Sequence, residues 1–479
     1  MSPTPIYAAL PTVFLLLTAA LLAAEPCYGF SSPEQIEGEH VWVEYDDNIS
    51  QATAQAVLDE ADGAWDNYVE TFNWPAPPGP FSVVADFDVD SASGRCITIE
   101  CEGVDLPLCS IYEPAFTSGN HLNTTAHEMG HAFQYGVTGP FGVSLSAWAW
   151  WMEGTAEYMS YRLRPVPGTV AVVETYLGNP QWRLHHNFSE FITGVRTGHL
   201  YGTAVLAMFI DEYYGGPDTV RETWEWGSMQ GEDPIFFRDA IEGIGISFDT
   251  FWPDYMAHVS VVDVSIGSEV SQLPAHLDLD ALPGAATPPD IYFPEGLGIT
   301  FFRVPKGLGQ PNSALVVRIL GDDSVRWHGA LARVEDAIPG ASVVDYVGAQ
   351  SGDDGIVELT LQGFDGSHDV MVALSPESIA PEPFGFSIEA ELQTTDPGAD
   401  TDDPEPAGSS SGEVPSDTDT DVGAGAENDA SGSGCSLGGS PAVGAPQSGM
   451  LAMFGMFGLA LAGSRRRRVH KRGKPSSSR

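Results

Sequence analysis

The residues best suited to chemistry lie together in His127-Glu128-Met129-Gly130-His131. Residues four apart share one face of a helix, so both imidazoles can reach a single ion. The intervening carboxylate then stands beside the fourth coordination position. The surrounding pattern predicts a helix that opens near Asn123-Thr124 and ends at Gly136, apolar around the motif at Met129, Ala132 and Phe133. A second helix is predicted over 146–162, from the run Trp150-Trp151-Met152-Glu153-Gly154-Thr155-Ala156-Glu157-Tyr158. A third is predicted over about 201–214, stopping at Gly215-Gly216.

Glu153 follows His131 by 153 − 131 = 22 positions, and the two motifs together resemble the gluzincin zinc metallopeptidases. In that clan a Glu on the following helix completes the metal site. The resemblance covers roughly residues 38–260 and implies an α+β zincin-like metallopeptidase domain. It implies Zn2+ held by His127, His131 and Glu153, with Glu128 as general base in peptide-bond hydrolysis. The spacing is a few residues longer than in aminopeptidases of the clan, and Gly139-Pro140-Phe141-Gly142 offers a loop to absorb the excess. No Gly-x-x-His extension follows His131, so the metzincin pattern does not fit. Glu157 lies one turn after Glu153, where thermolysin-like gluzincins keep an acid that bonds a zinc-bound His; the implied partner is His127. A peptidase also needs a donor to the oxyanion. His199 and Tyr201 are the candidates, and the aminopeptidase-like members favour Tyr201. The segment Ser110-Ile111-Tyr112-Glu113-Pro114 is expected to offer an edge strand to an extended peptide. Two readings from other classes stand beside this one: a non-catalytic zinc-binding surface adhesin, and a zinc hydrolase of a non-peptide bond.

These side chains must be positioned by a mixed scaffold. Residues 40–45 alternate as a strand, and a helix follows, capped by Ser50, with Val57, Leu58, Ala61, Trp65, Tyr68 and Phe72 along one face. Phe81 to Ala85 reads as a second strand. Cys96, Cys101 and Cys109 crowd one stretch, and two of them are expected to form a disulfide. His121, His185 and His186 read as loop histidines. Asp86-Phe87-Asp88-Val89-Asp90 falls short of a calcium loop, having Ser91 at position six and Ile97 at position twelve. Over 285–393 about seven alternating segments, parted by Gly, Pro and Asp, predict an all-β sandwich. It reads as a spacer or stabilising module, with substrate or glycan binding as the alternative.

The 479 residues suffice for two or three domains. The net charge is -46, and Lys306 is the one lysine before the C-terminal tail, which excludes nucleic acid as a partner. A monomer acting on a peptide or protein substrate is expected. Residues 1–24 have the apolar run and small-residue end of a signal peptide. Residues 394–434, rich in Asp, Ser, Thr, Gly and Pro, predict a disordered acidic linker. The last stretch, 435–479, joins Cys435 to an apolar segment at 450–463 and the cluster Arg465-Arg466-Arg467-Arg468. It resembles the myxobacterial-type C-terminal sorting signal. That resemblance implies export, processing and attachment at Cys435, and a cell-surface or outer-membrane location.

Overall fold

The computed structural model describes residues 34–86, 93–101, 103–138, 145–185, 196–227, 236–352, 354–378 and 380–394. The expected leader, the linker beyond Thr394, Cys435 and its tail, the 139–142 loop, Asp88 to Asp90 and His186 lie outside them. Among the described residues no helix is long and apolar enough to cross a membrane. The chain has an N-terminal α/β part and a C-terminal part built of sheets.

The first sheet takes five strands: β1 (Glu34–Glu37), β2 (Val41–Tyr45), β3 (Phe81–Asp86), β4 (Gly94–Cys101) and β5 (Val104–Tyr112). Their spatial order is β1-β2-β3-β5-β4. β2, β3 and β5 run parallel, while β1 and β4 pair antiparallel at the two ends. Helix α1 (Gln51–Glu70) crosses between β2 and β3, and Ser50 caps it by accepting a bond from the Thr53 amide at 3.2 Å. Val57, Leu58, Ala61, Trp65 and Tyr68 are buried, as their three- and four-residue steps require.

Among the described residues the helices that follow are α2 (Glu113–Ser118), α3 (His121–Thr138), α4 (Leu145–Leu163), α5 (Pro167–Gly178), α6 (Thr197–Gly202), α7 (Ala204–Tyr213), α8 (Pro217–Gly227), α9 (Phe236–Gly243) and α10 (Phe248–Val259). The third predicted helix divides into α6 and α7 at Thr203 and stops at Gly215 and Gly216, both with φ above +80°. The site helix α3 is longer than expected at both ends. It begins at His121, which therefore sits in a helix and stacks on Phe116, and it runs through Gly136 to Thr138. His185 is buried against Trp150.

The C-terminal part holds two sheets. One has the order β11-β10-β13-β8-β6 and the other β12-β9-β14-β7. Their strands are β6 (His276–Asp278), β7 (Gly284–Ala286), β8 (Thr300–Val304), β9 (Ser313–Gly321), β10 (Arg326–Val334), β11 (Val343–Gln350), β12 (Ile356–Leu361), β13 (Asp369–Glu377) and β14 (Phe386–Thr394). Phe302, Leu331, Val370 and Val372 of the first share a core with Val317, Ile319, Leu359 and Ile388 of the second. The first sheet's other face is buried as well. Phe301, Ala330, Ala332, Val334, Met371 and Ala373 belong to the core of the helical part. The two parts therefore meet as layers of one interior, and helical-part packing continues past residue 260 through Val261, Val262, Ile266 and Val270.

Candidate metal centre

Two helices make the site. α3 carries His127, Glu128 and His131, and α4 carries Glu153 and Glu157. A Cβ added to Gly130 would stand 3.2 Å from both Cα and Cβ of Ala156, so this small pair lets the helices approach closely. The approach brings the Glu153 carboxylate 3.1 Å from His127 Nε2 and 3.4 Å from His131 Nε2. One donor atom from each of the three residues falls within 4.8 Å of the others, and all three side chains are buried.

The opposite ring nitrogens are held from behind. His127 Nδ1 donates to Glu157 Oε2 at 3.1 Å, and Thr169 Oγ1 donates to Glu157 Oε1 at 2.6 Å. The predicted link from Glu157 to His127 is therefore present in the geometry. His131 Nδ1 donates to Gln134 Oε1 at 2.8 Å. The amide is oriented by its other end, because Nε2 donates to Met152 O at 2.9 Å and to Thr155 Oγ1 at 2.7 Å. Sequence reasoning did not single out Gln134. Its position one turn after His131 on the same helix was the signal available.

Charge in the cluster is tightly balanced. Burial disfavours the His127 imidazolium, but Glu153 and Glu157 raise its pKa well above the usual value. His131 is raised too, with Glu153 outweighing burial. Burial pushes the Glu153 carboxyl up, yet the two imidazoles hold it well below the carboxylate range. Such a site draws in positive charge, and a divalent cation can replace the protons on the two rings. Glu128 differs. Burial lifts it to about 7 against the pull of His131 and His127, and Glu128 Oε2 is buried with no hydrogen-bond partner among the described residues. An orphaned carboxylate oxygen beside two imidazoles and a carboxylate fits a site completed by a metal ion and its water.

The two oxyanion candidates part company. The Tyr201 ring centroid is 5.6 Å from that of His127, and its hydroxyl pKa is pushed well up by burial and by the Glu153, Glu128 and Glu157 charges. His199 is fully buried with its ring on Tyr176 and Trp182, at 4.8 and 5.6 Å. The joint after α6 is anchored to α4 by Thr203 Oγ1, which donates to Trp150 O at 2.9 Å.

The expectation for Ser110–Pro114 is corrected. Ser110 to Tyr112 belong to β5, which is paired on both sides, and Glu113–Pro114 open α2. The sheet edge beside the site is β4. Of the three cysteines, Cys96 on β4 and Cys109 on β5 form a disulfide. The bond ties the edge strand to its neighbour, and its Cys109 sulfur packs 3.4 Å from the Glu128 carbonyl oxygen of the site helix.

Residues 43–272 match a family of unknown function, DUF6055. The match spans β2 to the end of the helical part and stops before β6. No curated protein matches the chain.

Proposed function

We propose that this protein is an exported zinc metallopeptidase, with a zincin-like catalytic domain and a β-sandwich fused to it. One observation carries the reading: His127, His131 and Glu153 converge in a buried cluster, with the far nitrogens of both rings engaged by Glu157 and Gln134. His127, His131 and Glu153 would hold the ion. When bound, zinc supplies Lewis acidity, making water a nucleophile near neutral pH and polarising the scissile carbonyl. Glu128 accepts the water's proton and delivers it to the leaving amine, a task suited to a carboxyl whose burial raises it to about 7. Tyr201 donates to the oxyanion from beside His127. The β4 edge seats the peptide in extended form. Glu157 and Gln134 fix the two imidazole rings and take no proton from substrate.

A non-catalytic metal site has no use for a buried carboxylate without a partner, so Glu128 favours catalysis over the adhesin reading. The Cys96–Cys109 disulfide suits a compartment outside the cytosol. The reading extends to surface attachment through the sorting-type tail, with Cys435 as the processing point. The test is hydrolysis of an unbiased peptide library by purified protein, with and without a chelator. Chelator-sensitive cleavage is expected. Cleavage that survives complete metal removal would overturn the metal's role, and hydrolysis of only non-peptide esters or amides would shift the substrate class.

A further inference from the structure

The edge strand β4 carries a cation that has no carboxylate partner among the described residues. Arg95 is exposed. Among the described residues no carboxylate lies within ion-pair range of it, whereas Arg164, Arg303, Lys306 and Arg318 each hold one. With 66 acidic residues against 20 basic ones, a lone arginine is not explained by a shortage of partners. Its place is close to the chemistry. A Cβ on the preceding Gly94 would fall 2.5 Å from Glu128 Oε1, so this end of β4 lies directly against the general base.

Strand alternation fixes which way the arginine faces. Gly94 and Cys96 look toward α3, the first against Glu128 and the second in the disulfide with Cys109. Arg95, paired across to Ser110, therefore stands on the opposite face of the sheet. A peptide added to the free edge obeys the same alternation. The side chain opposite Arg95 would share its face, with the two Cβ atoms about 4.5–5.5 Å apart. A guanidinium at that distance favours a carboxylate, which it can grip through two parallel hydrogen bonds.

We propose that Arg95 is a specificity-determining residue that selects an acidic side chain, Glu or Asp, at the substrate position opposite it on the β4 edge. The proposal rests on the peptidase reading and deepens it by naming a substrate class: peptides with an acidic residue near the scissile bond. A strongly acidic protein otherwise repels such peptides, and Arg95 supplies attraction at that position.

Binding is measured by fluorescence anisotropy on zinc-loaded, full-length Glu128→Gln protein, which holds peptides without cutting them. The probes are labelled peptides carrying a single Glu, Gln or Lys at each successive position of a neutral sequence. Glu should bind about 2- to 5-fold more tightly than Gln at one position, the range for an exposed ion pair, with the preference shrinking in high salt. Adding Arg95→Gln should bring that ratio to one, and Arg95→Glu should turn the preference to Lys. A Glu preference at no position, or one that survives Arg95→Gln, overturns the proposal, as does failure of every peptide to bind. Failure of the peptidase reading looks different, since the wild-type protein would then bind the acidic peptides and cut none.

Discussion

Gln134 and Glu157 each hold one imidazole from behind, at 2.8 and 3.1 Å, and each should tune metal affinity without creating it. Gln134→Ala and Glu157→Ala are expected to weaken zinc binding by about 10–100-fold, and Gln134→Glu, which keeps an acceptor, should recover most of the loss. Glu153→Ala removes a donor atom and should leave the protein largely metal-free. Competition against a chromophoric chelator ranks the four variants, and full zinc in Glu153→Ala would mean that another residue completes the site. His127, Glu128 and His131 were legible in the sequence because a helix fixes the geometry of residues three and four apart. Glu153 and Glu157 needed a resemblance as well, since nothing local states how two helices cross. Gln134 offered only its position one turn after His131, because the amide is oriented toward that ring by Met152 and Thr155, eighteen or more residues away.

The element that joins the two halves is α10, and its C-terminal end carries a titratable latch. His258 lies 3.0 Å from Asp263 and 3.3 Å from Asp254, and Asp263 also accepts the Val343 amide of β11 at 3.0 Å. Burial lowers the His258 pKa, but the two carboxylates raise it to about 9. Burial raises Asp263, but His258 and the Val343 amide bring it below the ordinary carboxylate value. A raised histidine contributes its full stability below its unfolded value, about 6.5, and loses it as pH climbs through about 9. The depressed Asp263 acts in the other direction, its contribution being lost as pH falls through the depressed value. The melting temperature should therefore fall between about pH 7 and pH 9.5, and the fall should shrink in His258→Gln, as should the acid limb, since His258 is the larger cause of the Asp263 depression and the Val343 amide remains. An alkaline limb of the same size in the variant would sink the idea. Sequence patterns located β2, β3, α1, α3, α4, the stretch that becomes α6 and α7, and about seven strand segments over 285–393, but not β1, β4, α2 or α5. β5 looked like an edge because pairing order is a long-range property. Strands β10 and β13, buried on both faces, lack the clean alternation that marks β12 and β14.

At the scale of the whole molecule one face of the first C-terminal sheet completes the interior of the helical part. Besides the shared apolar layer, Arg326 bonds Asp249 at 2.8 Å, Arg238 pairs with Glu377, and Arg196 grips Glu295 with two bonds of 2.7 and 2.8 Å. The family match ends at residue 272, yet a protein cut there would strip cover from Phe248, which packs on His328, and from Pro253, which lies against Gly348. A fragment of residues 34–275 is thus expected to aggregate, while 34–394 should fold and bind zinc, as judged by size-exclusion chromatography and metal content. A soluble, monodisperse short fragment would return the sheets to the status of a spacer, which is how composition alone presents them. The central claim concerns chemistry at one carboxylate, and one comparison reaches it most directly: peptide-bond cleavage by wild-type and Glu128→Gln protein at equal measured zinc content. Loss of the proton carrier predicts a rate lower by about 10²–10⁴-fold with zinc retained. Equal rates in the two proteins would contradict the account.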